Sequence, residues 1–249
     1  MKIAIIGSGF FGLTLGLFLS KTNEVHIFEK EKKILNGASA ANQFRFHLGY
    51  HYPRSQKTVT EINKSKKLFT KYYGETIFQK TLNYYSIAVE SKVNFNQYKK
   101  FLKKNKLYNK IVKKFLPNKM INETILTNEK ILNYFSFKKI ISKKVKNSKL
   151  KIKLNKQFKK SFLKNYDKII VTAYSNNNKI LENLGVKKLD DFKFELVEKI
   201  VIKLPQKYVN KSFVVIDGKF VCVDPYLGTN YHLLSDVKLS KLETKIGKF

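Results

Sequence analysis

The chain opens on a short apolar run, Lys2 to Ile6, that is rich in β-branched residues and stops at Gly7. A run of this length bounded by turn residues predicts a buried strand. Leu13 to Ser20 follows with apolar residues on most faces of a helix. Val25 to Phe28 repeats the buried-strand pattern and ends at Glu29. Farther along, Thr58 to Tyr73 predicts a basic amphipathic helix, Tyr84 to Val89 an alternating strand and Asn94 to Asn105 another helix. Residues 106–160 are lysine-rich with weak patterning, apart from clean alternation over Lys149 to Leu154. Lys168 to Thr172 is again a buried-type strand. Phe194 to Leu204 and Phe213 to Val223 alternate and predict antiparallel strands, with a hairpin turn at Asp217–Lys219. No internal repeat is present.

The breaks between the first elements carry chemistry. Gly7, Gly9 and Gly12 form G-x-G-x-x-G directly after a strand, and Gly16 extends the series by four residues. Gly7 permits the tight turn, Gly9 lets backbone approach a pyrophosphate, and Gly12 lets the helix pack close to the sheet. The helix N-terminus then offers unpaired N–H groups and a positive dipole end to phosphate. Glu29 lies 22 residues after Gly7, at the tip of the second strand, where its carboxylate accepts from ribose hydroxyls. Strand, glycines, helix, strand and terminal acid in this order point to a dinucleotide, FAD or NAD.

Composition changes this picture little. The 249 residues suffice for one large domain or two smaller ones, and 43% hydrophobic with 14% aromatic residues fits a globular chain. The single cysteine, Cys222, excludes an internal disulfide framework and a Cys-rich zinc site and reads as a core thiol. The net charge of +32 would suit nucleic acid or an anionic membrane surface. The lysines are spread along the whole chain, however, as an AT-rich coding bias produces. The apolar start resembles a secretory signal, but four glycines interrupt it and charged residues follow, so a cytoplasmic protein is expected. The histidines show no metal-ligand spacing.

Arginine is distributed differently. Only two occur, Arg45 and Arg54, both within Ala41–Ser55, "ANQFRFHLGYHYPRS", together with His47 and His51. A planar guanidinium suits bidentate anion recognition. Ser39 and Asn42 can donate to phosphate or ribitol oxygens, and Gln43 to a flavin edge. Arg45 and His47 alternate in an extended stretch. Arg45 is expected to hold either a substrate carboxylate or negative charge on a reduced flavin. Arg54 either does likewise, caps a helix or pairs with a surface acid. His51, Tyr50 and Tyr52 also read as packing residues, and His232 either faces a cofactor or sits in its sheet.

The spacing Ser39, Asn42, His47, Gly49 in "NGASAANQFRFHLGYHYPRS" resembles the second cofactor-contacting segment of the D-amino-acid-oxidase-like superfamily of FAD-dependent oxidoreductases. "YDKIIVTAYSNNNKIL" resembles its strand returning to the FAD domain. The resemblance implies an α/β fold: a Rossmann-type FAD-binding domain with an interleaved, mainly antiparallel β substrate domain. The expected boundaries are 1–80 and 125–185 for the first and 81–124 and 186–249 for the second. Gly7, Gly9, Phe10, Phe11, Gly12, Glu29, Lys30, Ser39, Asn42, Gln43 and Ala173 would contact FAD, with Arg45 and His47 as the catalytic pair. The implied reaction is oxidation of a C–N or C–O bond of a small amino or hydroxy acid by hydride transfer to the flavin. Members of the superfamily are usually longer and return to the FAD domain through a C-terminal glycine-rich segment. This leaves two further readings: an FAD-retaining chain completed by a partner chain, and a basic protein bound to RNA or a membrane surface.

Overall fold

The computed structural model describes residues 1–217 and 221–249. The first elements are β1 (Lys2–Ile6), α1 (Phe10–Leu19), β2 (Glu24–Phe28), β3 (Arg45–Phe46), α2 (Gln56–Tyr73), β4 (Phe78–Gln79) and β5 (Leu82–Ala88). Next come α3 (Phe95–Lys104), β6 (Asn109–Val112), β7 (Ile121–Thr127), β8 (Lys130–Leu132), α4 (Tyr134–Lys146), β9 (Lys151–Lys153) and β10 (Lys168–Val171). The last are α5 (Asn177–Asn183), β11 (Phe192–Val197), β12 (Ile200–Ile202), β13 (Lys211–Ile216), β14 (Val221–Pro225), β15 (His232–Asp236) and β16 (Lys241–Gly247). Two compact units result. Unit 1 comprises 1–42, 138–196 and 243–249, and unit 2 comprises 43–137 and 197–242.

Unit 1 is built on a parallel sheet in the order β10-β1-β2-β9. β1 lies inside it, with Ile3 to Ile6 all buried, as the uninterrupted apolar run requires of a strand covered on both faces. Full burial of a side chain such as Ile5 or Ile27 contributes about 1.5–3 kcal/mol. Gly16 lets α1 settle on the sheet, because a methyl group there would come within 2.9 Å of Ile27 Cδ1. α1 carries no charged residue, and while Leu13 and Leu17 are buried, Phe11 and Phe18 are exposed. The Phe28 ring meets Phe158 edge-on at 5.0 Å. β11 and β16 form a separate two-stranded sheet.

Unit 2 holds a seven-stranded sheet, β12-β15-β14-β13-β5-β7-β6, antiparallel except where β13 runs parallel to β5. A smaller antiparallel sheet has the order β3-β8-β4. The core gathers Tyr50, Tyr85, Ile87, Tyr98, Leu102 and Val214. α3 begins with a capping box: Asn94 Oδ1 accepts from Gln97 N and Gln97 Oε1 from Asn94 N, both at 2.9 Å. β13 and β14 pair as the expected hairpin, Phe213 opposite Val223. Of its expected turn, Gly218 and Lys219 lie outside the described residues.

The fold class is the one expected, but the units divide the chain elsewhere. Residues 43–80 and 125–137, expected with the nucleotide-binding domain, belong to unit 2. The cause is pairing: β3 and β4 both bond to β8, and β5 to β7. Residues 186–196 and 243–249 lie in unit 1, where β11 pairs with β16. Among the described residues, no helix is long and apolar enough to cross a membrane.

Candidate functional site

In unit 1 the glycine turn leaves β1 with Gly7 at φ +106°, a conformation that disfavours any side chain. A methyl group on Gly7 would press within 2.7 Å of the Thr172 carbonyl oxygen. One on Gly12 would collide with the Gly7 carbonyl oxygen. The Thr172 hydroxyl donates to the carbonyls of Ile6 (3.1 Å) and Gly7 (3.2 Å), tying the turn to the end of β10. Helix geometry leaves the first N–H groups of α1 without intrahelical acceptors. Ser39 Oγ accepts from Phe10 N at 3.0 Å and stands 3.3 Å from where a Gly9 Cβ would lie. A backbone cradle with a hydroxyl at its lip is what a diphosphate requires.

Glu29 is held at the tip of β2. Ser8 donates to its Oε2 twice, from N at 2.8 Å and from Oγ at 2.7 Å, and Glu31 N donates to Oε1 at 2.9 Å. Ser8 is fully buried. A carboxylate with two oxygens still accepts further hydroxyl donors, so this anchoring fixes its direction without using up its capacity. The sequence reading assigned Ser8 no role at the cofactor. The signal available was a hydroxyl between the first two glycines of a turn that ends near an acid.

The other residues expected at the cofactor are placed as follows. Phe10 and Phe11 meet edge-on at 5.3 Å, with Phe11 exposed. Lys30 is exposed, its Nζ 4.0 Å from Glu31 Oε1. Asn42 Nδ2 donates to the carbonyls of Ser39 (3.2 Å) and Ala38 (3.3 Å), closing the short turn that presents Ser39. Ala173 N donates to Asn177 Oδ1 at 2.7 Å. Gln43 belongs to unit 2, where its Nε2 donates to Ser235 Oγ at 2.8 Å.

Unit 2 contains the arginines. Arg45 is buried, with 3% of its side chain exposed. Its Nη1 donates to Asp224 Oδ1 and, at 2.8 Å, to Ser212 Oγ; its Nη2 donates to Tyr85 Oη at 2.9 Å. Its Nε lies 3.7 Å from Glu129 Oε1. Glu129 Oε1 accepts from His47 Nδ1 (2.9 Å) and Tyr85 Oη (2.8 Å), and its Oε2 accepts from Leu48 N (2.9 Å). Arg54 clamps the buried Asp217 bidentately at 2.7 and 3.0 Å. Arg45 was expected to grip an anion from substrate or cofactor; the anions it grips here are the chain's own. Both arginines stand where a carboxylate is buried, and a guanidinium satisfies such a group with several directed donors. The buried acids Glu129, Asp217 and Asp224 were missed, since nothing local separates them from surface acids.

Burial alone would raise the Glu129 carboxyl. The His47 hydrogen bond, the Arg45 charge and the Leu48 N–H outweigh it and hold the group at about 2. Asp224, with Oδ2 buried and unpartnered among the described residues, is pushed up by burial while Arg45 and Ser212 pull it down. Burial, then His47 and Arg45, lower His51 to about 3, so it stays neutral. Burial pushes the Cys222 thiol up to about 12, in keeping with a core thiol. The ligand atoms of His47, His51 and Glu129 lie within 4.8 Å of one another. Glu129 is already hydrogen-bonded through both oxygens, and Arg45 is the cation at this carboxylate, so the donor set suits the arginine rather than a metal. His232 is buried in β15 with Nε2 3.1 Å from the Tyr208 carbonyl, a strand histidine.

No family model matches the sequence. A stretch of 100 residues, 39% of this chain, is 31% identical to the FAD-dependent monooxygenase FPY4 of Fusarium mangiferae and spans 27% of that protein. A stretch of 78 residues, 31% of this chain, is 33% identical to the FAD-dependent monooxygenase kojA of Aspergillus flavus and spans 18% of it. The matched segments thus cover about a quarter or less of these curated relatives. The fold is shared with glycine oxidase from Geobacillus kaustophilus, with TM-score 0.68 and 14% identity over 99% of this chain and 72% of that one. It is shared equally with L-α-glycerophosphate oxidase from Mycoplasma pneumoniae, solved with FAD bound, with TM-score 0.69 and 16% identity over the same shares. The resemblance to D-amino-acid-oxidase-like oxidoreductases holds at the level of the fold.

Proposed function

We propose that the chain is an FAD-dependent oxidoreductase whose unit 1 binds the ADP portion of the cofactor. One observation supports this above others: Glu29, anchored by Ser8 and Glu31, and the Ser39 hydroxyl flank a glycine turn on which side chains would collide with backbone. Glu29 would take the ribose hydroxyls, and an acid there disfavours a ribose 2′-phosphate. The first turn of α1 and Ser39 would take the diphosphate. Phe10, Phe11, Lys30, Asn42 and Ala173 remain assigned to its surroundings. Bound, FAD supplies hydride acceptance from a C–N or C–O bond of a small amino or hydroxy acid.

Within unit 2, His47 is the network member assigned to the substrate. Its side chain is 29% exposed, and no partner for Nε2 occurs among the described residues. Because ionised Glu129 only accepts, Nδ1 of His47 donates to it, which leaves Nε2 as the ring atom to meet a substrate. Arg45 acts as a positioning residue through Glu129. A second reading, cofactor binding without turnover, is favoured by the engagement of the Arg45 guanidinium inside the unit.

The test begins with purified chain and FAD, followed by fluorescence quenching and the visible flavin band. Saturable one-to-one binding is expected, competed by ADP and lost in Gly12→Ala, by about a hundredfold for a backbone clash of 2–3 kcal/mol. Absence of binding by the unaltered chain, or equal binding by the variant, defeats the cofactor assignment. Reduction of the bound flavin by an amino or hydroxy acid then separates the enzyme from the inert binder.

A further inference from the structure

The extended stretch Arg45–Leu48 separates two environments in unit 2. Arg45 and His47 face the ionic network. Phe46 and Leu48, the alternate positions, line a cavity of about 430 Å³. Its other walls include Lys67 and Lys71 of α2, Lys130 and Glu75. It is a shallow cavity, largely open to solvent, whose volume falls among those of small-ligand sites, roughly 300–1,000 Å³. Phe46 is packed from behind by Phe78 (4.8 Å) and Phe69 (5.2 Å), so it is a fixed apolar surface, yet it remains only partly buried.

The charges are unbalanced. Lys130 pairs with Glu75 at 2.7 Å, and Lys66, also at the wall, donates to Asn63 Oδ1 at 2.6 Å. Lys67 and Lys71 have neither acid nor hydrogen-bond partner among the described residues. Four apart on a helix, they are neighbours whose like charges oppose each other. An anion between them would relieve that opposition, while an apolar body would cover Phe46 and Leu48.

We infer that this cavity binds a small amphiphilic monoanion, an acyl or aryl carboxylate, with its carbon body on Phe46 and Leu48 and its head group between Lys67 and Lys71. The assignment is independent of the cofactor. It also differs from the general attraction of a lysine-rich surface, which would act on any anion and be weakened by loss of any lysines.

The experiment exploits that difference. Dodecanoate and phenylbutyrate are titrated calorimetrically into the full chain, beside dodecanol and inorganic phosphate. Lys67→Glu/Lys71→Glu is compared with Lys100→Glu/Lys104→Glu, the same charge change four apart on α3, which contributes no residue to the cavity wall. One site is expected for at least one carboxylate, and which of the two binds distinguishes acyl from aryl. The cavity pair should weaken it about tenfold or more and the control pair less than about twofold, as expected for a local rather than a long-range charge effect. Equal losses from both pairs would mean a diffuse field such as RNA would sense, and would overturn the site. So would the failure of both carboxylates, dodecanol binding as tightly as dodecanoate, or phosphate matching either carboxylate.

Discussion

The glycine turn of unit 1 and the arginine cluster of unit 2 use hydrogen bonds in opposite ways. The turn fixes its backbone from behind, through Thr172, Ser8 and Ser39, and leaves helix N–H groups at its mouth. The cluster directs its donors inward: Arg45, Tyr85, His47 and Leu48 N all serve Glu129 or Asp224. The first arrangement is the one we propose as a cofactor cradle, and the other satisfies charges the chain itself has buried. In the second case, side chains of the kinds associated with function serve the chain's own buried acids.

The comparison breaks most readily at Glu129. Glu129→Ala would leave the buried Arg45, His47 and Leu48 N–H short of an acceptor. Removing one partner of a buried ion pair costs about 3–5 kcal/mol. Denaturant unfolding should show a loss of that size, and a loss below about 1 kcal/mol would mean the cluster is not structural.

Acid should act on the same cluster. Glu129 is depressed in the folded chain, so its contribution is present above the ordinary carboxylate range and disappears as pH falls toward about 2. His51 is depressed from 6.5 to about 3, so the unfolded chain binds its proton first and stability already declines below about pH 6.5. Unfolding free energy measured from pH 7 to 4.5 should fall, and should fall less in His51→Phe. An unchanged slope in that variant would place the titrating group elsewhere.

The smallest effect sharpens the unit 1 side. Ser8→Ala removes the Oγ hydrogen bond but keeps the backbone one. FAD affinity should drop by up to about tenfold, the equivalent of one hydrogen bond of 0.5–1.5 kcal/mol, with little change in unfolding midpoint. Affinity equal to that of the unaltered chain would show that Glu29 needs no such anchor.

Unit 1 was the more legible in sequence because its meaning is local. The β1 run, the glycine spacing and the acid after β2 lie within thirty residues, and the observed elements fall within a few residues of expectation. Unit 2 depends on distant pairing. β3 is two residues long and defined only by β8, more than eighty positions away. Lysines hid the pattern of α4, and β7, which has none, lacks clean alternation. The alternating run Phe194 to Leu204 is two strands, β11 and β12, parted where Glu198 N bonds to the Ser240 carbonyl. Both arginines were marked to hold an anion of a cofactor or substrate; here they pair with Glu129, Asp217 and Asp224, which no local signal in the sequence identified.

The uncharged surface of α1 has a colloidal consequence. Phe11 and Phe18 are 73% and 62% exposed, a sticky stripe on an otherwise heavily cationic molecule. In dilute buffer, mutual repulsion between chains of charge +32 keeps these rings apart. In molar salt the screening length shrinks to about 3 Å and that repulsion no longer operates. Adhesion between molecules through these rings is therefore expected to grow in concentrated electrolyte.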